Sequence, residues 1–276
     1  APSRSIDFDD ESAKEATGDH AGACAISGRQ YAQLSFNARL PYSGTVTTAP
    51  AVFKALKGCG CTIIGWDAGS EVVEGSAVEG ISVVRRKAFD EKTYTIVVVD
   101  QTMGASPIYT ARVFSGCVGN VTLGADGTGA PYMLNFTFFG KDNGDIDGAA
   151  YNLTPTGFDT NCSEKLLSQS LSVFTDGAAK TDLLCNGFNF DLGNTINPVP
   201  DQSDPTGISH YYIAATAPKL SLNVVAQNQA AFDPQQYAVD ELSGTIQIGT
   251  AGTNNITLKV PNAQIINPSM ADIDGL

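Results

Sequence analysis

The sequence predicts a mainly β protein. Twenty-eight glycines and thirteen prolines punctuate short runs rich in Val, Thr, Ile and Phe. Several of these runs alternate apolar with polar residues, and no long stretch carries the Ala/Leu/Glu/Lys periodicity of an extended helix. At 276 residues the chain can bury about three-quarters of the surface its unfolded form exposes, so one large or two smaller domains are expected. With 16 basic and 29 acidic residues the net charge is -13, which repels nucleic acid and anionic lipid and argues against a conventional DNA-binding module. The sequence predicts neither a signal peptide nor a membrane span, since it has no charged-then-apolar leader and no apolar run near eighteen residues.

Residues 1–30 are polar, with acids at Asp7, Asp9, Asp10 and Glu11 followed by Gly/Ala-rich sequence. They read as an amino-terminal arm that orders only against a neighbour. Leu34, Phe36, Ala38 and Leu40 then alternate with Ser35, Asn37 and Arg39, the period of a half-buried strand. A Gly/Thr-rich loop leads to a short helix, Pro50 to Lys57, capped by Thr48 or Ala49, with Pro50 at its first position. Val52, Phe53 and Leu56 share its apolar side, Gly58 and Gly60 offer left-handed endings, and Cys61 to Trp66 reads as the next strand.

Strand candidates follow at Ile81–Lys87, Thr93–Asp100 and Ile108–Phe114, and Val118–Gly124 with Pro131–Gly140 form a hairpin. The charged, glycine-bearing stretch 141–155 reads as a linker between a first β lobe, 31–140, and a second, 156–276. The second lobe offers a strand ending in a glycine turn at Phe188–Asn194, then Tyr211–Thr216, Leu220–Val225, Thr245–Gly249, Asn254–Val260 and Pro261–Ile266. Leu220-Ser-Leu-Asn-Val echoes Leu34-Ser-Phe-Asn-Ala, Asp233-Pro234 stands where Ala49-Pro50 stands, and Ser243-Gly244 echoes Cys59-Gly60. The echo is compatible with an internal duplication or with two unrelated strand–helix–strand turns.

Little here points to chemistry. Asn143, Asp145 and Asp147, with Gly148, imitate the start of an EF-hand loop, but the twelfth position is Thr154 where a bidentate Glu belongs, and no helices flank it. These three are the weak metal candidates; none is expected to bind, and no cofactor is expected. His20 and His210 are the only histidines, and neither is placed to activate a serine or cysteine. No nucleophile elbow, phosphate loop or dinucleotide fingerprint occurs. Paired carboxylates of a glycoside-acting enzyme have no distinguishing spacing. The six cysteines fit no zinc pattern and read as free thiols. A carbohydrate-binding or adhesive β-sandwich is the competing class; Trp66 reads as core, leaving Tyr42, Tyr211 and Tyr212 as its candidate platform.

Five short segments occur in a telling order. They are Ser35-Phe36 with Pro50 and Leu56 to Gly60; the glycine-rich loop and strand from Gly127 to Lys141; Phe190 to Asn194, which includes Gly193; Pro261 to Ile265, which includes Gln264; and the Asp272-Ile-Asp274-Gly275-Leu ending. From about residue 30 onward this pattern resembles the tail tube (major tail) proteins of long-tailed bacteriophages. Members usually carry a strand or two beyond the last turn, where this chain departs from the pattern. The resemblance implies a tail-tube-type β-sandwich or barrel with one or two short flanking helices, and no enzymatic activity. It implies homo-oligomeric rings of three or six, stacked into a tube with other tail components. DNA passes through the lumen without specific binding, no membrane takes part, and the virion is assembled in the host bacterial cytoplasm.

Overall fold

A computed structural model describes residues 3–12, 25–40, 52–67, 70–72, 80–85, 92–101, 109–125, 130–147, 171–175, 181–183, 185–224, 242–250 and 254–266. The first strands are β1 (Ser3–Ser12), β2 (Ala25–Arg39), β3 (Cys61–Asp67), β4 (Ser70–Val72), β5 (Gly80–Arg85), β6 (Tyr94–Gln101), β7 (Tyr109–Gly124) and β8 (Met133–Asp147). They are followed by β9 (Leu171–Thr175), β10 (Thr181–Leu183), β11 (Cys185–Asp191), β12 (Asn194–Pro200), β13 (Ile208–Thr216), β14 (Lys219–Val224), β15 (Leu242–Thr250) and β16 (Asn254–Ala263). A single short helix, α1 (Phe53–Leu56), and the 3-10 turn Lys57–Cys59 complete the described elements. None of the described helices is long and apolar enough to cross a membrane.

Alternation decides the central sheet. The order β1-β2-β8-β7-β11-β14, with β6 also on β7, makes seven strands in one curled half-barrel. Register places Phe36 opposite Phe136 and Phe136 opposite Val121, with Leu34 and Ala38 opposite Phe138 and Leu134. All of these stand on the concave side. Directly opposed residues of an antiparallel pair share a face, so one core gathers Leu34, Val121, Leu123, Leu134, Phe136, Phe138 and Phe188. Leu56 of α1 and Ile246 and Ile248 of β15 close it; β15 belongs to a second sheet, β10-β9-β15-β16. The hairpin β12-β13 lies on the convex side, where Ile208 and Tyr211 bury Val118 and pack with Tyr31 and Phe139.

Two glycines make room for the aromatics, and a third for a buried sulfur. Phe36, Phe136 and Phe138 stack on one another with ring centroids 5.1 to 5.9 Å apart. A Cβ on Gly119 would stand 2.5 Å from the Phe138 ring, and one on Gly58 would stand 2.9 Å from both Phe138 and Tyr94. A Cβ on Gly140 would meet the Cys117 sulfur at 2.5 Å. Phe138 therefore lies flat over β7 in a slot no larger residue can line.

The structure amends several expectations. The amino-terminal stretch is not simply an arm: Ser3–Ser12 pairs antiparallel with Ala25–Ser35, bringing Ile6 into register with Ala32. Its apolar alternation, Ile6 and Phe8 alone, is too short to stand out among the acids. Of the expected strands Ile108–Phe114 and Val118–Gly124, the described residues form one strand, β7, whose register against β8 shifts between Arg112 and Phe114 and again between Ser115 and Val118, where Gly116 takes φ 62. The 141–155 linker is strand over its first half, because Lys141–Asp147 continues β8 against β7; residues 148–155 lie outside the described set. The central sheet takes strands from both sides of that stretch, so the two expected lobes share one sheet and one core.

The helix is shorter than expected. Thr48, Ala49 and Pro50 lie outside the described residues, and Val52 caps α1 with no side-chain hydrogen bond. Gly60, at φ 79, is the left-handed end, whereas Gly58 sits inside the 3-10 turn and serves the Phe138 slot. The second echo unit contributes β14 and β15; its helix region, like Asp233-Pro234, lies outside the described residues.

Substituting Gly119→Ala forces the Phe138 ring out of its slot and should cost about 1 to 3 kcal/mol. Urea unfolding should show a lower midpoint with an unchanged slope, partly recovered when Phe138→Leu is added. An unchanged midpoint would mean the slot is not a packing constraint.

Candidate functional site

Two of the resemblance segments meet in space. In Phe190-Asp-Leu-Gly-Asn194, Phe190 and Leu192 face the core, and Leu192 continues the pairing of β11 with β7 through its N–H to the Val121 carbonyl at 3.1 Å. Asp191, on the opposite face, accepts from the Asn120 side-chain amide and from the Gly193 N–H, each at 2.8 Å. Gly193 turns the chain at φ 67, where a Cβ would lie 2.1 Å from the Ala217 carbonyl oxygen. Only glycine fits there.

Asn194 is the buckle that this turn delivers. Its side-chain amide donates to the Cys59 carbonyl at 2.8 Å and the Gly119 carbonyl at 2.9 Å, across 135 and 75 residues of sequence. Its oxygen accepts from the Thr216 hydroxyl at 2.9 Å, and its backbone N–H donates to the Asn120 oxygen at 3.0 Å. Two carbonyls can only accept, so the NH₂ must face them and the amide orientation is fixed. Asn194 thus ties the end of the Lys57–Cys59 turn, strand β7 and the β12-β13 hairpin together. The Cys59-Gly60 and Gly193-Asn194 segments of the motif meet at this one side chain.

The other motif residues spread out from it. Ser35 is half-buried, with its hydroxyl 3.4 Å from that of Thr137; Phe36 joins the aromatic stack; Leu56 is buried. Pro261 falls in β16, at the edge of its sheet, within the register shift between Leu242 and Gly244. A missing N–H is tolerated at such a place. Gln264 is exposed just beyond that strand. Pro50, Asp272, Asp274 and Gly275 lie outside the described residues.

On the convex face beyond the hairpin, register lines up a polar pavement. Ser35, Thr137 and Asn120 form one row, and Asn37, Asn135, Thr122, Asp191 and Lys219 the next. Arg39, Met133, Gly124, Asn189 and Ser221 form a third. Asn37, Arg39, Asn135, Asn189, Lys219 and Ser221 are exposed, and the Asn135 amide reaches the Thr122 hydroxyl at 3.3 Å. These rows hold a single acid, Asp191, which Asn120 and Gly193 already occupy.

The stretch that imitates an EF-hand loop is strand rather than loop. Asn143, Asp145 and Asp147 lie on β8, where alternate residues are about 6.6 Å apart along the backbone, unlike the tight turn of such a loop. Asn143 bonds Ser115 at 3.1 Å, and Asp145 faces Arg112 at 3.7 Å. Among the described residues no cluster of His, Cys, Asp or Glu could hold a metal ion.

The carboxylate that matters here is Asp142, buried and held by Arg112 through Nε at 3.0 Å and Nη2 at 2.5 Å. Asp142 raises the Arg112 pKa still further. Lys141 forms an ion pair with Asp204 in the β12-β13 turn. That lysine, with Thr206 donating from its hydroxyl at 2.7 Å, holds the Asp204 carboxyl down to about 2. Alternation marks Asn120 and Asp191 as outward-facing, but nothing in sequence joins them to each other or to Asn194, and the partners of Arg112 and Lys141 are equally remote.

Cys59, Cys61, Cys117 and Cys185 are free thiols, and burial pushes Cys117 up to about 11; Cys24 and Cys162 lie outside the described residues. His210 is exposed on β13, beside the Ser209 hydroxyl at 3.3 Å. Of the expected aromatic platform, Tyr211 is buried while Tyr212 is 40% exposed; Tyr42 and the Trp66 side chain are outside the described set. No known family profile matches the chain, and no curated protein is similar enough to count as a relative.

Replacing Asn194 by Ala leaves the buried Cys59 and Gly119 carbonyls without their donor and should cost about 3 kcal/mol. Asn194→Asp, nearly the same shape, should be at least as damaging because a carboxylate cannot donate. A well-tolerated Asp in thermal unfolding would refute the donor role. The Asp204 carboxyl lies below its ordinary 3.8 in the folded chain, so its contribution is present above that value and fades as pH falls toward about 2. The gap in thermal midpoint between the natural chain and Asp204→Asn should close over that window; a gap independent of pH would mean the ion pair contributes nothing.

Proposed function

We propose that this chain is the ring-forming subunit of a phage tail tube, a virion structural protein rather than an enzyme, with stacked homo-oligomeric rings making the conduit for genome delivery. The observation that carries this reading is the polar pavement on the convex face of the central sheet. On a chain of net charge -13 it holds Arg39, Lys219 and the internally bonded Asp191 as its only charges, amid amides and hydroxyls. Duplex DNA carries one phosphate charge for about every 1.7 Å of its axis, and each Lys or Arg on it releases counterions and grips. A surface over which DNA must slide needs polar groups that wet it without such grip, so this face suits the lumen. The meeting of the Cys59-Gly60 and Gly193-Asn194 segments at one side chain supports the same reading, because it makes these two a structural device that needs no catalytic group.

In this reading the partners are further copies of the chain, three or six to a ring, with three favoured if the echo between its halves is a duplication. Other tail components cap the tube, DNA passes without sequence-specific contact, no membrane takes part, and assembly takes place in the host bacterial cytoplasm. The rival, a glycan-binding β-sandwich, wants several exposed aromatics in line, and of its two tyrosines among the described residues Tyr212 is exposed and Tyr211 buried.

Negative-stain microscopy of the purified full chain should show rings or tubes. Dispersed monomers that bind glycans would replace this reading with the rival. The double change Asn37→Lys with Asn135→Lys should preserve rings and slow genome ejection; ejection at the natural rate would remove the pavement from the lumen.

A further inference from the structure

The bulge in β8 brings together the parts of a self-acting chemical site. Phe114 pairs with Asp142 and Arg112 with Asp145, so Asn143 and Gly144 share the space opposite Val113 alone and fall outside the regular ladder. Gly144 takes φ 81, and no atom lies within 4 Å of where its Cβ would be. With no side chain at Gly144, its backbone nitrogen carries the least steric hindrance a residue can offer. The hydrogen on that nitrogen is already given to a carboxylate, Asp142 Oδ1, at 2.9 Å, and Arg112 keeps this carboxylate ionised. The Ser115 hydroxyl addresses both ends of the Asn143 amide, accepting from Nδ2 at 3.1 Å and donating to Oδ1 at 3.4 Å. Asn143 itself is exposed, so water can reach it and a small leaving group can depart.

We propose that Asn143-Gly144 is a spontaneous modification site. The Gly144 nitrogen attacks Cγ of Asn143, forming an N–C bond, while its proton passes by way of the Asp142 carboxylate to the departing Nδ2. The Cγ–Nδ2 bond breaks and ammonia leaves. Water then opens the resulting succinimide at either carbonyl, giving aspartate or isoaspartate, with no oxidant or cofactor consumed. Asp142 acts as the base for the attacking nitrogen, and Ser115 stabilises the oxygen on which negative charge develops. Each conversion adds a negative charge beside Asp142 and Asp145, and the isoaspartate form also lengthens the main chain by one methylene. Both effects loosen the grip of Arg112 on the end of β8.

The chain has a second Asn-Gly pair, Asn186-Gly187, in the β11 bulge between Cys185 and Phe188, where Gly187 is buried. It serves as an internal comparison. Folded full-length protein is held in mildly alkaline buffer at body temperature, digested, and its peptides are weighed over time. The peptide bearing Asn143 should gain the mass of an amide-to-acid exchange and split into two isomeric products, while that bearing Asn186 stays unchanged. Ser115→Ala and Asp142→Asn should each slow conversion by about a hundredfold, and Asn143→Gln should abolish it. Should Asp142→Asn fail to fold, Ser115→Ala, on the exposed side of the bulge, still decides. No gain at Asn143, equal gain at both pairs, or conversion unaffected by Ser115→Ala would each overturn the proposal.

Discussion

The fold depends on how one amide satisfies two distant backbone carbonyls. A chain that has built a sheet and must then cover its other face has to cross the sheet's end, and such a crossing strands polar groups. Here the carbonyls of Cys59 and Gly119 would be stranded, one at the end of a helical turn and one on β7, both in buried residues. The Asn194 side chain reaches both, and an unmade hydrogen bond at such a depth costs more than a made one contributes. The geometry is supplied upstream. Asp191 accepts from Asn120 and from the Gly193 N–H, so the residue before the left-handed turn and the residue after it are held by partners on one strand. Without Gly193 the chain could not make that turn, because the Ala217 carbonyl occupies the place of any Cβ.

That crossing gives the central sheet two unlike faces. The concave face is sealed by the stacked phenylalanines, and its glycines are small so that the rings can lie flat. On the convex face the hairpin covers the rows nearest Val118 and leaves the amide and hydroxyl rows open. A sheet exposed on one face ordinarily alternates apolar-in with polar-out; here the outward rows are mostly amides and hydroxyls, with Arg39, Lys219 and Asp191 as their charges. Side chains such as Asn135 and Thr122 bond each other across strands, which makes most of this surface short amides and hydroxyls between the longer Arg39 and Lys219.

How much of this could be read beforehand follows the range of the interactions. The alternations from Leu34 to Leu40 and from Leu134 to Phe138 declare a strand and its buried face because the period is local, and Gly60 declares a helix end because its backbone conformation is local too. The strand Ser3–Ser12 was illegible: two apolar residues among acids carry too little period, and the partner β2 supplies what the segment lacks. Lys141–Asp147 misled for the opposite reason. Its glycine and acids suit a turn, yet Gly144 serves a bulge and Asp142 is neutralised by Arg112, thirty residues back. The motif residues of the site could be picked out, but their convergence could not, since Asn194 and Cys59 are separated by 135 residues.

Electrostatics joins these observations. A chain with 29 acids and 16 bases has few cations to distribute, and the fold commits two of them, Arg112 and Lys141, to acids within the same chain. Both sit on the β7-β8 pair at the end away from the polar pavement, where they fix the bulge and clamp the β12-β13 turn. Removing a base from there would leave Asp142, almost wholly buried, as an uncompensated charge, a far larger cost than the loss of a surface pair. The polar pavement needs no cations, since its one acid is satisfied by an amide and a backbone N–H. The molecule therefore keeps these rows nearly neutral, and a neighbour approaching that face meets mainly hydrogen-bonding groups, with Arg39 and Lys219 as the exposed charges among them. In the proposed tube the neighbour is DNA, and the same neutrality would let the duplex move past without being held.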